Sequence, residues 1–261
     1  KERKKMIFYG RIHGGVDAPS GFAPHMAALL AGEPRSFVVC GGSIVTKKHV
    51  LTAAHCVTPF VKDDQLDRSF QARVGSNIWH SGGILVQFRS HYIHPKWDEE
   101  IIKYDAAVLL LDKELDFSDT VTAIGLEFGW VGGDEPTYVT GWGTTWPRFD
   151  DNAVHLAPTP DNLQLLYART MTFQQCYESI HSYQGWASLA PPLDGKLEIC
   201  TFHSLGHGMC HGDSGSALVS TWSFKQIGIV SWGMPCALGA ADFFTRLRAI
   251  EDFLKAILKP S

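Results

Sequence analysis

His211-Gly212-Asp213-Ser214-Gly215-Ser216 sets a hydroxyl between two glycines. A nucleophile for acyl transfer needs such a hydroxyl on a tight turn with backbone N–H groups aimed beside it, and glycine at 212 lets the chain turn there. Alone, the same residues describe an ordinary surface turn. Two distant segments change the reading. In Leu51-Thr52-Ala53-Ala54-His55-Cys56 a histidine follows the β-like run His49-Val50-Leu51 and stands beside a cysteine, whose disulfide would hold the ring rigidly. By itself it is an interior histidine. In Tyr104-Asp105-Ala106-Ala107-Val108-Leu109-Leu110-Leu111 a carboxylate heads an apolar strand. Burying it is costly unless a donor such as an imidazole N–H meets it, and otherwise it is a surface aspartate at a strand start. Ser214, His55 and Asp105 are therefore candidates for nucleophile, base and orienting acid.

Outward from these segments the chain alternates short β-branched and aromatic runs with turn clusters. Phe37-Val38-Val39, Ile84-Leu85-Val86, Tyr138-Val139-Thr140 and Gln226-Ile227-Gly228-Ile229-Val230 are examples, and together they predict an all-β fold. Only the end has helical spacing: Leu247, Ile250, Leu254 and Ile257 fall on one face, with Arg248, Glu251, Asp252 and Lys255 turned outward. Residues 145–172, with Pro147, Pro158 and Pro160, are expected to form a long mobile loop with a nick site at Arg148.

At 261 residues the chain makes one large domain or two small ones. The longest apolar run, residues 106–111, is too short to cross a bilayer, and a net charge of -4 with mixed signs gives no reason to expect a nucleic-acid partner. Cysteines at 40, 56, 176, 200, 210 and 236 are even in number and form no CxxC pair, so disulfides in an oxidising, extracellular setting are expected. No signal peptide is visible after the basic run Lys1-Glu2-Arg3-Lys4-Lys5, and the sequence is read as starting after its removal or at an artificial boundary. His203, His207 and His211 recur every four residues, but the intervening glycines indicate a loop rather than a metal-binding helix face. Asp63, Asp64 and Asp67 lack the spacing of a calcium loop. No metal or other cofactor is expected.

The three candidate segments, with Cys40-Gly41-Gly42-Ser43, Thr140-Gly141-Trp142-Gly143 and Ser231-Trp232-Gly233, fall in the order of the trypsin/chymotrypsin family of serine proteases, which the chain resembles over residues 12–258. The resemblance implies two six-stranded antiparallel β-barrels meeting near residues 120–135, a cleft between them and a C-terminal helix. It implies a triad of His55, Asp105 and Ser214, an oxyanion hole from the Gly212 and Ser214 N–H groups, and substrate pairing along Ser231, Trp232 and Gly233. Disulfides Cys40–Cys56, Cys176–Cys200 and Cys210–Cys236 follow from the same likeness.

Arg11-Ile12-His13-Gly14-Gly15 resembles the family's activation junction, with histidine where a small apolar residue is usual. The resemblance makes residues 1–11 a propeptide and 12–261 the peptidase domain. A trypsin-like protease would cut after Arg11, and the new Ile12 amine would pair with Asp213. The tag-like run at 1–5 leaves open that this segment is only a frayed tail. The molecule would be a secreted monomer acting on proteins or peptides and open to protein protease inhibitors.

By the same likeness Gly208 stands at the base of the primary pocket with Met209 beside it. This is the pattern of insect and other arthropod chymotrypsins, and it favours large apolar or aromatic P1 residues. Asp242 falls at a second pocket-base position, as in broad-specificity crustacean collagenolytic proteases, and makes basic or broad selectivity the alternative. Ser216 and Ala217 replace the usual glycine and proline, and Phe244 a common tyrosine. A reading of another class is a catalytically dead homologue acting as a binding protein.

Overall fold

The computed structural model describes residues 12, 14–144, 148–150, 153–155, 159–182, 187–188, 190–233 and 237–259. Its first half closes into a six-stranded antiparallel barrel built from β1 (Met26–Ala31), β2 (Phe37–Ile44), β3 (His49–Thr52), β4 (Gln71–Val74), β5 (Ile84–Ile93) and β6 (Ala107–Leu111). The order around it is β1-β2-β3-β6-β5-β4, and β4 pairs back to β1. Leu29, Leu51, Phe70, Val74 and Val108 fill its interior, each 1% exposed or less. Each such side chain contributes about 1.5–3 kcal/mol relative to exposure.

The second half repeats the architecture with β7 (Pro136–Gly141), β8 (Gln164–Thr170), β9 (Glu198–Phe202), β10 (Ala217–Ser220), β11 (Gln226–Gly233) and β12 (Asp242–Arg246). They run β8-β7-β10-β11-β12-β9, closed by the β8–β9 pairing Arg169↔Phe202 and Thr170↔Thr201. Both faces of β10 are buried: Val219 joins one cluster around Trp142 and Leu163, and Leu218 another around Phe244 and Ile227. The two-barrel all-β fold expected from the sequence is the one formed.

Two stretches differ from expectation. Residues 145–172 are not one long loop, because Arg148–Asp150 pairs with Ala153–His155 and Gln164–Thr170 is the barrel strand β8. Leu163, Gln164, Leu165 and Leu166 are all buried, so this strand lacks the alternation that marks a half-exposed one, and the nearby prolines outweighed it in the sequence reading. Arg148 stands in a paired strand. An unpredicted helix, α1 (Phe173–His181), starts at a capping box in which Thr172 accepts from the Gln175 N–H and Gln175 accepts from the Thr172 N–H. Cys176 and Ile180 form its buried face.

The C-terminal segment behaves as its spacing predicted. A 3₁₀ turn (Leu247–Ile250) leads into α2 (Glu251–Ile257), and Leu247, Ile250 and Leu254 are buried in the core of the first barrel, not the second. This helix therefore straps the two halves together. Among the described residues no helix is long and apolar enough to cross a membrane.

The barrels also meet through polar contacts. The Gly41 N–H donates to the Ser214 carbonyl at 2.8 Å, the Ser43 hydroxyl to Gln226 Oε1 at 2.7 Å, and the Thr245 hydroxyl to the Asp105 carbonyl at 2.9 Å. At the same seam the Ser216 hydroxyl is wholly buried, close to Gly41, and meets no hydrogen-bond partner among the described residues. Its desolvation is uncompensated, so Ser216→Ala should stabilise the fold by about 1 kcal/mol, roughly 2–4 °C in Tm. Thermal unfolding of the two forms checks this, and a lower Tm for the alanine form would show that the hydroxyl has a partner.

Candidate active site

Register places the first two candidates. Strands β3 and β6 are antiparallel with Thr52 opposite Ala107, so the residues just past one strand lie beside those just before the other. His55, in a 3₁₀ turn over Ala54–Cys56, thus faces Asp105. The Asp105 Oδ1 accepts from the His55 backbone N–H at 3.0 Å, and Oδ2 meets the ring Nδ1 at 2.7 Å. The neighbouring Cys56 is joined to Cys40, which fixes the turn to β2.

Asp105 is fully buried, and a carboxylate there needs every donor it can reach. A third comes from the second barrel. Between β11 and β12 the register shifts from Val230↔Phe244 to Trp232↔Phe243, leaving Ser231 as the extra residue of a bulge. Bulges re-aim side chains, and this one turns the Ser231 hydroxyl onto Asp105 Oδ2 at 2.6 Å. Sequence reading placed Ser231 on the substrate strand but missed this bond, since a bulge leaves no local signature.

Burial is the largest single influence on the His55 ring and disfavours its cation. The charge of Asp105, its hydrogen bond and the charge of Glu99 together outweigh it, so the pKa is raised above 6.5. The side chain remains 33% exposed and opens on a cavity of about 390 Å³ that Ser214 also lines.

Ser214 is presented by a turn in which the Asp213 N–H donates to the Cys210 carbonyl and the Ser216 N–H to the Asp213 carbonyl. Gly212 and Gly215 have φ of 98° and 80°, the left-handed region that glycine tolerates. A side chain at 215 would also collide with Thr52 Oγ1 and the Gly41 carbonyl, so only glycine lets the two barrels close at the serine. Among the described residues no hydrogen bond occupies the Gly212 or Ser214 N–H.

The Asp213 carboxylate is fully buried beneath this turn, where Oδ1 accepts from Gly143 N–H at 2.8 Å and Oδ2 from Cys210 N–H at 3.0 Å. Burial dominates and lifts its pKa to about 7. The Ile12 side chain is fully buried in one cluster with Val139, Leu166, Ile199 and Met209. Arg11 and His13 lie outside the described residues.

Met209, Val230, Trp232, Gly233 and Asp242 also line the cavity shared by His55 and Ser214. A side chain at Gly208 would come within 2.9 Å of Asp242 Oδ2, which accepts from the Met209 N–H at 3.0 Å. Burial, with a further push from the charge of Asp213, lifts the Asp242 pKa to about 8. Trp97, Glu99 and Ile102 line the cavity from the first barrel. None was singled out in the sequence, because Asp98-Glu99-Glu100 has the look of a solvated acidic turn.

Cys176 is bonded to Cys200 and ties α1 to β9. Cys210 is disulfide-bonded as well, while Cys236 lies outside the described residues. His203 and His207 stack with centroids 4.4 Å apart and share Ser204, whereas His211 lines the same cavity as His55 and Ser214. Among the described residues the one three-residue cluster with metal-ligand spacing is Cys40, His55 and Cys56, whose cysteines are tied up in their disulfide.

A histidine paired with a buried aspartate, lining one cavity with a serine on a glycine turn, supplies the kinds of group that acyl transfer by a serine hydrolase requires. The family model described as Trypsin matches residues 12–254. Chymotrypsin-2 of Vespa crabro is 30% identical over 245 residues, covering 94% of this chain and 98% of the relative. Trypsin 5G1 of Aedes aegypti is 29% identical over 95% of this chain and 85% of its own, and Hypodermin-A of Hypoderma lineatum 31% over 87% and 79%. The chain belongs to the trypsin family of serine endopeptidases.

Removing the carboxylate tests the electrostatics at His55. In Asp105→Asn the attraction is lost while burial stays, so the ring pKa should fall from above 6.5 to below it. An NMR titration of the His55 ring protons, made in a Ser214→Ala background, reads this directly. A pKa that stays raised would mean another anion governs the ring.

Proposed function

We propose that the chain is the secreted zymogen of an endopeptidase that uses Ser214 as nucleophile, His55 as general base and acid, and Asp105 to orient the ring. The observation that carries this reading is the 2.7 Å contact of His55 Nδ1 with buried Asp105, with His55 and Ser214 lining one cavity. In this reading His55 takes the Ser214 proton as the hydroxyl attacks the scissile carbonyl, then gives it to the leaving amine. Water, deprotonated by the same ring, releases the acyl group. The Gly212 and Ser214 N–H groups hold the carbonyl oxygen as its negative charge develops, a contribution of about 3 kcal/mol per donor.

Activation follows from the pair Ile12 and Asp213. Residues 1–11 act as propeptide, a trypsin-like protease cuts after Arg11, and the new α-ammonium of Ile12 pairs with Asp213, orienting the Gly212 to Ser214 turn. Two features support this: the Ile12 side chain already occupies an apolar socket, and burial raises the Asp213 carboxylate to about 7, so a cation placed beside it would be strongly favoured. The activated enzyme works as a monomer outside the cell and is a target for protein inhibitors. Labelling of Ser214 by an organophosphonate after trypsin treatment, with Ile12 confirmed as the new terminus, tests the proposal. A cut chain that takes no label would instead be a binding protein.

Large apolar and aromatic P1 residues suit the pocket near pH 7, because Met209 and Val230 line it and burial keeps Asp242 largely protonated. Basic P1 residues are the second reading, favoured by the position of Asp242 on the pocket floor beside Gly208. The two readings are separated by pH. Asp242 is neutral below its pKa of about 8 and charged above it, and a new ammonium at nearby Asp213 would lower that midpoint. The ratio of kcat/KM for a Lys-P1 peptide to that for its Phe-P1 twin should rise by roughly tenfold or more as pH increases from about 6 to 9. His55 affects both substrates alike and cancels. Asp242→Asn should flatten the ratio, and a flat profile in the parent enzyme would remove Asp242 from specificity.

A further inference from the structure

Lys103 and Glu198 form a buried ion pair outside the catalytic groups, with side chains 7% and 5% exposed and Nζ 3.0 Å from Oε1. Every proton of the ammonium has an acceptor, since Nζ also donates to the Ile101 and Ile102 carbonyls at 3.0 and 3.2 Å. Glu198 is equally engaged. Oε1 accepts from the Trp232 indole N–H at 2.7 Å, and Oε2 from the Asp194 backbone N–H at 2.9 Å. One carboxylate thus joins the loop that precedes Asp105, the start of β9 and the indole of Trp232.

Stability alone is a poor reason for such a pair, because desolvating two charges roughly cancels their attraction. Position is a better one. Trp232 lines the catalytic cavity from the second barrel, and Trp97, Glu99 and Ile102 line it from the loop that carries Lys103. That loop is held in an unfavourable backbone state. Ile102 and Tyr104, on either side of Lys103, have φ of 49° and 54°, and a β-branched residue rarely adopts such a value. The exchange of backbone hydrogen bonds between Asp98 and Lys103, both 3.1 Å, closes the loop on itself, and Glu198 is what fastens it to the opposite barrel. The indole is fixed from two directions, by Glu198 at its N–H and by a parallel stack on Phe243 at 3.9 Å.

We propose that Lys103 and Glu198 are positioning residues for the extended part of the substrate groove: they set the separation between the Trp232 wall and the loop at residues 97–102. A peptide reaching several residues upstream of its scissile bond depends on that separation, whereas a substrate that fills only the primary pocket does not. The proposal rests on the endopeptidase reading above.

The test compares, in the activated enzyme, a tetrapeptide substrate with an N-acetyl amino-acid ester carrying the same P1 residue. Glu198→Gln should raise KM for the tetrapeptide about tenfold, leave its kcat within about twofold, and leave the ester unchanged. Lys103→Met combined with Glu198→Leu replaces the pair by apolar groups of similar size and keeps the fold even if the single variant does not accumulate. It should show the same selective loss, because the indole N–H then lacks its acceptor. Equal losses on both substrates, no loss on either, or a double variant with the parent KM for the tetrapeptide would each overturn the proposal. Failure of the endopeptidase reading is recognised separately, as a parent chain inactive on ester and peptide alike.

Discussion

A carboxylate buried at a seam constrains everything around it, and Asp105 is that group here. Its charge is sustained by a backbone N–H and a ring nitrogen from the turn after β3 and by a hydroxyl from the bulge in β11. Its own carbonyl accepts from Thr245 on β12. These donors come from both barrels, so sliding one against the other by even an ångström would strand a buried charge, at a cost of several kcal/mol. The alignment of the barrels and the alignment of the His55 ring are therefore one requirement. The strap of α2 across the first barrel and the closure of Gly215 against Gly41 and Thr52 serve the same alignment.

What could be read from the sequence follows from which interactions are local. The strands with alternating or uniformly apolar runs were legible, as was the C-terminal helix, because burial on one face imposes a period on the residues themselves. Strand β8 was hidden by the prolines around it and by burial on both sides at Leu163, Gln164, Leu165 and Leu166. The helix α1 had a readable signal, Thr172 followed three residues later by Gln175, that short length and neighbouring turn residues masked.

The candidate site residues divide in the same way. His55, Asp105 and Ser214 were legible because each sits in a segment whose neighbours serve it: a cysteine, an apolar strand, a pair of glycines. Ser231 as a partner of Asp105 was not, since its orientation comes from a mismatch between two strands far apart from the carboxylate in sequence. Lys103 and Glu198, 95 residues apart, look like ordinary surface charges until the fold removes water from both.

Asp213 and Asp242 are bound together by charge. Both carboxylates are buried near the nucleophile turn, each accepts from backbone N–H groups of the segment Met209 to Cys210, and the charge on Asp213 raises the pKa of Asp242. Two negative charges so close in a region of low polarity cannot both form cheaply, so before any cut the protonated state of one favours ionisation of the other. An ammonium arriving at Asp213 would remove this competition, and the pocket floor would ionise more readily once the nucleophile turn is anchored. On the activation scheme proposed for this chain, the event that orders the oxyanion donors also changes the charge available to a P1 side chain. On that scheme specificity and activation would share one electrostatic origin, because Asp242 and Asp213 accept from adjacent peptide groups.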